Sequence, residues 1–189
     1  MEVRKTIGAL LFASATQFVV LLMVAETQYP GYSISYNYIS DLGVWSQASA
    51  YIFNPSVVVY GAMVLAAGYL MRTKLGWRQG ALIAISGLGG IGVGFFNEMT
   101  GYPHIFFALL AFVGGSMAGL TLRRRLKGVM GWFGVAIGLI SLLALILLGT
   151  GIWLGLGAGG MERMVFYPQS AFILALGGYF MAGTPRDEK

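Results

Sequence analysis

Two short stretches of this chain hold residue types that carry proton and acyl chemistry. Ser40 and Asp41 lie in YNYISDLGVW (36–45), and Asn97, Glu98 and His104 lie in FFNEMTGYPH (95–104). A serine hydroxyl becomes a nucleophile when a neighbouring base takes its proton, and aspartate and histidine are the side chains that pass protons. Ser40, Asp41 and His104 are therefore the candidate catalytic groups. The same types also serve recognition. Asn37, Ser40, Asp41, Asn54, Asn97, Glu98, His104, Glu162 and Arg163 together make a polar set suited to a headgroup. No nucleophile elbow surrounds Ser40. The chain has one histidine and no cysteine, too few donors for a multi-histidine or thiolate site. No metal and no cofactor are expected.

Each of these residues also has a purely structural use. Ser40 and Asp41 suit the cap of a short interfacial helix. Asn54, just before Pro55, suits the N-cap of the next helix and would leave a helix N-terminus open to an anion. Glu98 and His104 are close enough to pair across the turn containing Gly101 and Pro103. Arg163 needs an acid at membrane depth, and Asp41, Glu98 and Glu162 are the candidates, Asp41 first.

The elements that would position these residues follow from composition. Of 189 residues, 57% are apolar and only 10% charged, against about 25% charged in soluble domains. The apolar residues fall into six runs, roughly 6–25, 51–71, 80–96, 104–122, 129–150 and 164–183, each near the length that spans a bilayer. The fold class is all-α: one transmembrane domain over 1–189, a bundle of six helices with a short interfacial helix in the first outer loop. That loop, 26–50, holds Tyr38, Ile39, Leu42 and Trp45 at helical spacing, so it should fold back over the bundle as a lid. Gly87, Gly90 and Gly94, with Gly89 nearby, mark a tight helix-packing face.

Charge orients the bundle. Of the twelve Lys and Arg residues, all but Arg163 collect with the termini and the 72–78 and 123–127 connections. The positive-inside rule places that side, and both termini, in the cytoplasm of a cell-membrane protein. The polar set then opens outward. The basic run RRRLK (123–127) is a topology signal that attracts anionic lipid headgroups; nucleic acid is not an expected partner. Membrane lipids are the expected partners, and a homo-oligomer stays open.

YNYISDLGVW, taken with GIGVGFFNEMTGYPHIFFALLAFVGG (90–115), resembles the domain-of-unknown-function family 998, small prokaryotic membrane proteins with about six helices. Asn37, Ile39, Ser40, Asp41, Leu42 and Gly43 match its first-loop pattern. Gly90, Gly92, Gly94, Phe95 and Phe96 match its glycine-rich helix, and His104, Ala111 and Phe112 the helix that follows. Asn97 and Glu98 replace the Pro-Thr-Asp type of turn associated with the family. The resemblance covers about 6–183 and implies a fold and an outer polar cluster, but no reaction.

Three functions compete. The first is binding of a lipid or small amphiphile at the outward polar site, without catalysis. The second is a lipid-modifying enzyme, a hydrolase or acyl remodeller built on Ser40, Asp41 and His104. The third is a transporter or channel, which would need charged residues deep in the spans.

Overall fold

The computed structural model describes residues 2–126 and 128–182. They form six α-helices: α1 Glu2–Thr27, α2 Ala50–Leu75, α3 Trp77–Phe95, α4 Tyr102–Leu122, α5 Val129–Thr150 and α6 Gly157–Ala182. Each helix packs on the next, and α6 returns to α1, so the six close into a ring. Apart from the long 28–49 segment, short connections between consecutive helices enforce the antiparallel order. One end of the ring, the loop end, carries the 28–49 segment and the α3–α4 and α5–α6 turns. The other, the arginine end, carries the α2–α3 and α4–α5 joints. Lys127, Arg186 and Lys189, which enter the orientation argument, lie outside the described residues, as does the end of the sixth run at 183.

Five of the six helices, all but α3, are long and apolar enough to cross a membrane. The chain is therefore a multi-pass membrane protein by the length and composition of its helices. With only 19 residues, α3 has no stretch of spanning length that leaves out Arg78 and Gln79, and the rest of it is rich in glycine.

That glycine is the packing device. Gly61 and Gly68 on α2 face Gly87 and Gly80 on α3, seven residues apart on each helix. A methyl group on Gly61 would stand 2.5 Å from the Gly87 carbonyl oxygen, and one on Gly80 2.6 Å from the Gly68 carbonyl oxygen. Backbones approach this closely only where neither carries a side chain. The expected single glycine face divides in two. Gly87 and Gly94 press on α2, whereas Gly89 and Gly92 press on Ala111 and Phe107 of α4. A residue at every second position turns about 200° around a helix, so α3 needs small residues on both flanks because it is packed between two neighbours.

Two helix starts differ from the expectation. α2 begins at Ala50, so Asn54 lies one turn inside it and is buried. Asn54 is no N-cap and leaves no open helix terminus. Its amide donates to the Gly43 carbonyl at 2.9 Å, and Ser49 at the true start donates to the Leu42 carbonyl at 2.9 Å. Both bonds tie the loop to the helix that follows it. α6 begins at Gly157 rather than at 164, which carries Glu162 and Arg163 inside a helix. GAGG is a poor helix former on its own. The first loop supplies the missing support: the Gly159 N–H donates to the Ser35 carbonyl at 3.0 Å, and the Ser35 hydroxyl donates to the Leu156 carbonyl at 2.8 Å.

The loop folds onto the ring. Ile39 and Leu42 are buried, whereas Trp45 is 53% exposed and leans on Tyr51. The expected short helix is a four-residue 3-10 turn, Ser40–Gly43, with Ile39 preceding it and no side-chain cap.

Candidate functional site

Two polar assemblies share the loop end, and each is built from a loop residue set and a helix. The first surrounds Arg163, which is only 4% exposed. Its Nη2 donates to Glu26 Oε1 at 2.8 Å and to the Tyr32 hydroxyl at 2.6 Å. Its Nη1 donates to the carbonyls of Ile34, Asn37 and Gly159 at 3.0–3.1 Å. Tyr32 passes its own proton on to the Tyr38 carbonyl at 3.0 Å. Burial raises the Tyr32 phenol above its ordinary value, against the opposing hydrogen bond and charge of Arg163. The five acceptors satisfy both Nη atoms, while the buried Nε–H is left without a partner. Its role here is to staple the first loop to α6 and α1.

The second assembly is a group of carboxylates. Asp41 Oδ2 accepts from Asn37 Nδ2 and from the Tyr38 N–H, both at 3.0 Å. Asp41 also shares a hydrogen bond with Glu98, whose other contact is the Ser40 hydroxyl, donating to Oε2 at 3.2 Å. Glu162 accepts the backbone N–H groups of Ile39 and Ser40. Two carboxyl groups in contact need a proton between them. Burial pushes Glu98 up to about 7, and the Asp41 hydrogen bond and charge push the same way, against the pull of Ser40. Burial likewise raises the Tyr38 phenol, with Glu162, Glu98 and Asp41 adding to it. Among the described residues no three His, Asp or Glu are arranged to hold a metal ion.

Beneath the carboxylates lies a narrow cleft with a cavity volume of about 60 Å³, partly open to the surroundings. Its walls come from five helices. Phe18 of α1, Tyr60 of α2 and Phe166 of α6 form an aromatic cluster with centroids 5.2–6.4 Å apart. Phe53, Val57, Gly90, Val93, Ala108, Ala111 and Phe112 complete the apolar lining, and Ser40, His104 and Glu162 stand out as its polar members. Gly90 faces this space more loosely than its neighbours face the helices.

The sequence profile of a family described as protein of unknown function (DUF998) matches residues 7–179. The chain belongs to that family. No curated protein and no solved structure matches it.

In this DUF998 chain the residues singled out by sequence separate by role. Asn37 orders the loop: Oδ1 accepts from the Ser33 N–H at 3.0 Å, Nδ2 holds Asp41, and the carbonyl holds Arg163. Asn97 caps the Glu98–Thr100 turn through Met99 N–H at 3.1 Å. His104 does not pair with Glu98; its Nδ1 meets the Phe96 carbonyl at 2.8 Å. Asp41 does not pair with Arg163, because Glu26 at the end of α1 reaches it first. The hydrogen bonds send Ser40 to Glu98 and His104 to Phe96, so no bond among them links Ser40, Asp41 and His104 in a relay. Glu98, Ser40, Asp41 and Glu162 do come together. Sequence reasoning missed Glu26 and Tyr32 as the Arg163 partners, and Phe18, Tyr60 and Phe166 as the cleft wall. Their signal is the ring closure of α6 on α1, which sequence does not display.

Proposed function

We propose that this DUF998 protein lies in the cell membrane with six spans, α3 included, and both termini in the cytoplasm. It binds a small amphiphile at the loop end, which faces outward. The carrying observation is the cleft, apolar along five helices and polar at Ser40, His104 and Glu162. Such a pocket buries an acyl or alkyl chain and fixes a polar head. The head should be a cation or a rich hydrogen-bond donor. The mouth offers carboxylates, and the one local cation, Arg163, is already held by Glu26 and Tyr32. An anionic head would meet Glu162 and the Asp41–Glu98 pair with nothing to balance them. The inclusion of α3 among the spans is supported by its glycine contacts with α2 from Gly80 to Gly94. The basic connections at the arginine end support the orientation.

The test uses the full chain in phosphatidylcholine nanodiscs, titrated with dodecylamine and with dodecanoate. Dodecylamine should raise the unfolding temperature and dodecanoate should not. Glu162→Gln should weaken the amine effect. Equal response to both amphiphiles, or none to either, would overturn the reading.

A further inference from the structure

At the arginine end, a second cleft opens between the first turn of α3 and the last turn of α4. It has a cavity volume of about 220 Å³ and is lined by Arg78, Gln79, Leu82, Thr121, Arg124 and Arg125. α3 separates it from the carboxylates by its full length of 19 residues, about 28 Å at the helical rise. We propose that this cleft is a binding site for a phosphate group, carried by an anionic phospholipid headgroup or by a free phosphate compound.

Three observations converge on this. The first is charge. Three guanidinium groups line one cleft, and among the described residues none of them forms an ion pair with an acid. Like charges gathered in a space of this size repel one another unless an anion sits between them. The second is the way the neighbouring arginines are used. Arg123 lies over the Trp132 ring at 4.6 Å and Arg72 over the Tyr69 ring at 3.8 Å, whereas Arg78 meets the exposed Trp77 ring only at 5.9 Å. Arg125 is placed differently: a methyl group on Gly76 would stand 3.1 Å from its Nη2. Gly76 is the single-residue joint between α2 and α3, with φ +90°. Its missing side chain lets the guanidinium lie against the joint beside Arg78. The third is a neutral donor. Gln79 is buried, and its Oε1 accepts from the Thr121 hydroxyl at 2.9 Å. The hydroxyl's one proton also has the Met117 carbonyl at 2.6 Å, so the amide is held against Thr121 and keeps at least one N–H without a protein acceptor among the described residues. Guanidinium forks and a fixed amide N–H are the donors that match phosphate oxygens, and a basic pocket between helices at the membrane surface is where a phosphate headgroup lies.

Purified full-length protein is incubated with vesicles of equal phosphatidylcholine and phosphatidylglycerol and examined by native mass spectrometry. In parallel, its unfolding temperature is followed against inorganic phosphate, with chloride as the ionic-strength control. Wild type should keep phosphatidylglycerol in preference to phosphatidylcholine. Arg78→Gln and Arg124→Gln should each reduce retention about tenfold, the loss of one charge-assisted contact, while Arg72→Gln should not. Preferential retention of phosphatidylglycerol identifies a lipid as the source. A phosphate-specific rise in unfolding temperature, lost in Arg78→Gln and without lipid preference, identifies a free phosphate compound. Both arginines are exposed, and an unchanged unfolding temperature in phosphatidylcholine checks that each variant folds; Gln79→Glu, which opposes the anion without removing an arginine, is a second route to the same loss. The proposal is overturned if Arg72→Gln weakens binding as much as Arg78→Gln, or if neither lipid preference nor a phosphate response is seen.

Discussion

Arg163 and Glu98 are both charged residues folded into the loop end, and they are treated in opposite ways. Around Arg163, every contact is of complementary sign: a carboxylate, a phenol oxygen and three carbonyls, drawn from α1, the first loop and α6. Around Glu98, the nearest ionisable neighbour is another carboxylate, Asp41, with Glu162 beyond it. A charge met on both Nη atoms by matching partners is a structural staple, and removing it leaves buried partners unpaired. A cluster of like charges stabilises nothing by itself and persists where a proton or a ligand settles it. The contrast separates a charge whose partners all match it from carboxylates that also face one another.

Breaking the staple should give the largest effect. Arg163→Gln strands Glu26, Tyr32 and three carbonyls, and should cost about 3–5 kcal/mol, the range for breaking a buried ion pair. Denaturation of the protein in detergent micelles reads this directly. A loss below about 1 kcal/mol would mean the network is solvated and the contrast is false.

Gly159→Ala attacks the same staple from the backbone. Its methyl group would run into the Asn37 carbonyl and stand 2.7 Å from that of Ile34, two of the oxygens that Arg163 holds. A cost of about 1–3 kcal/mol is expected for overpacking. A neutral outcome in the same unfolding assay would show that the loop can lift without disturbing Arg163.

The carboxylate side is sharpened by pH. Glu98 is held at about 7 in the folded protein against an ordinary 4.5, so the folded state binds this proton more tightly than the unfolded chain does. The resulting stability is fully present below the unfolded value and is lost as pH rises through 7. Wild type should therefore lose thermal stability between about pH 5 and pH 8. Glu98→Gln should flatten that slope by about 1 kcal/mol or less, because partial exposure screens the group. Parallel slopes in the two proteins would remove the shared proton from the account.

The smallest effect is an expected zero. Asp41 and Arg163 do not touch and share only Asn37, Asp41 through its side-chain amide and Arg163 through its backbone carbonyl, so Asp41→Asn and Arg163→Gln should add to within about 0.5 kcal/mol in a double-mutant cycle. A coupling energy of 1 kcal/mol or more would mean that the two assemblies are one.

Much of this protein is written in its sequence. Apolar runs of spanning length separated by polar connections dictate helices, since lipid leaves the backbone no other way to satisfy its hydrogen bonds. They mark all six, with α5 at 129–150 to the residue. Spacing also marks Ile39 and Leu42 for burial and the glycines of α3 for close packing. The pairing of polar residues was decided elsewhere. Arg163 lies 137 positions from Glu26, and the closest candidates along the chain are not the closest in space. Only the closing of α6 on α1 puts those two side chains together, leaving Asp41 to Glu98 and His104 to a carbonyl. The start of α6 shows the same limit, because GAGG becomes helical only when the first loop supplies its Ser35 carbonyl. Periodicity reports which face of a segment avoids water or lipid. It carries no information on which polar groups meet across the ring, and that is fixed by the order in which the helices pack.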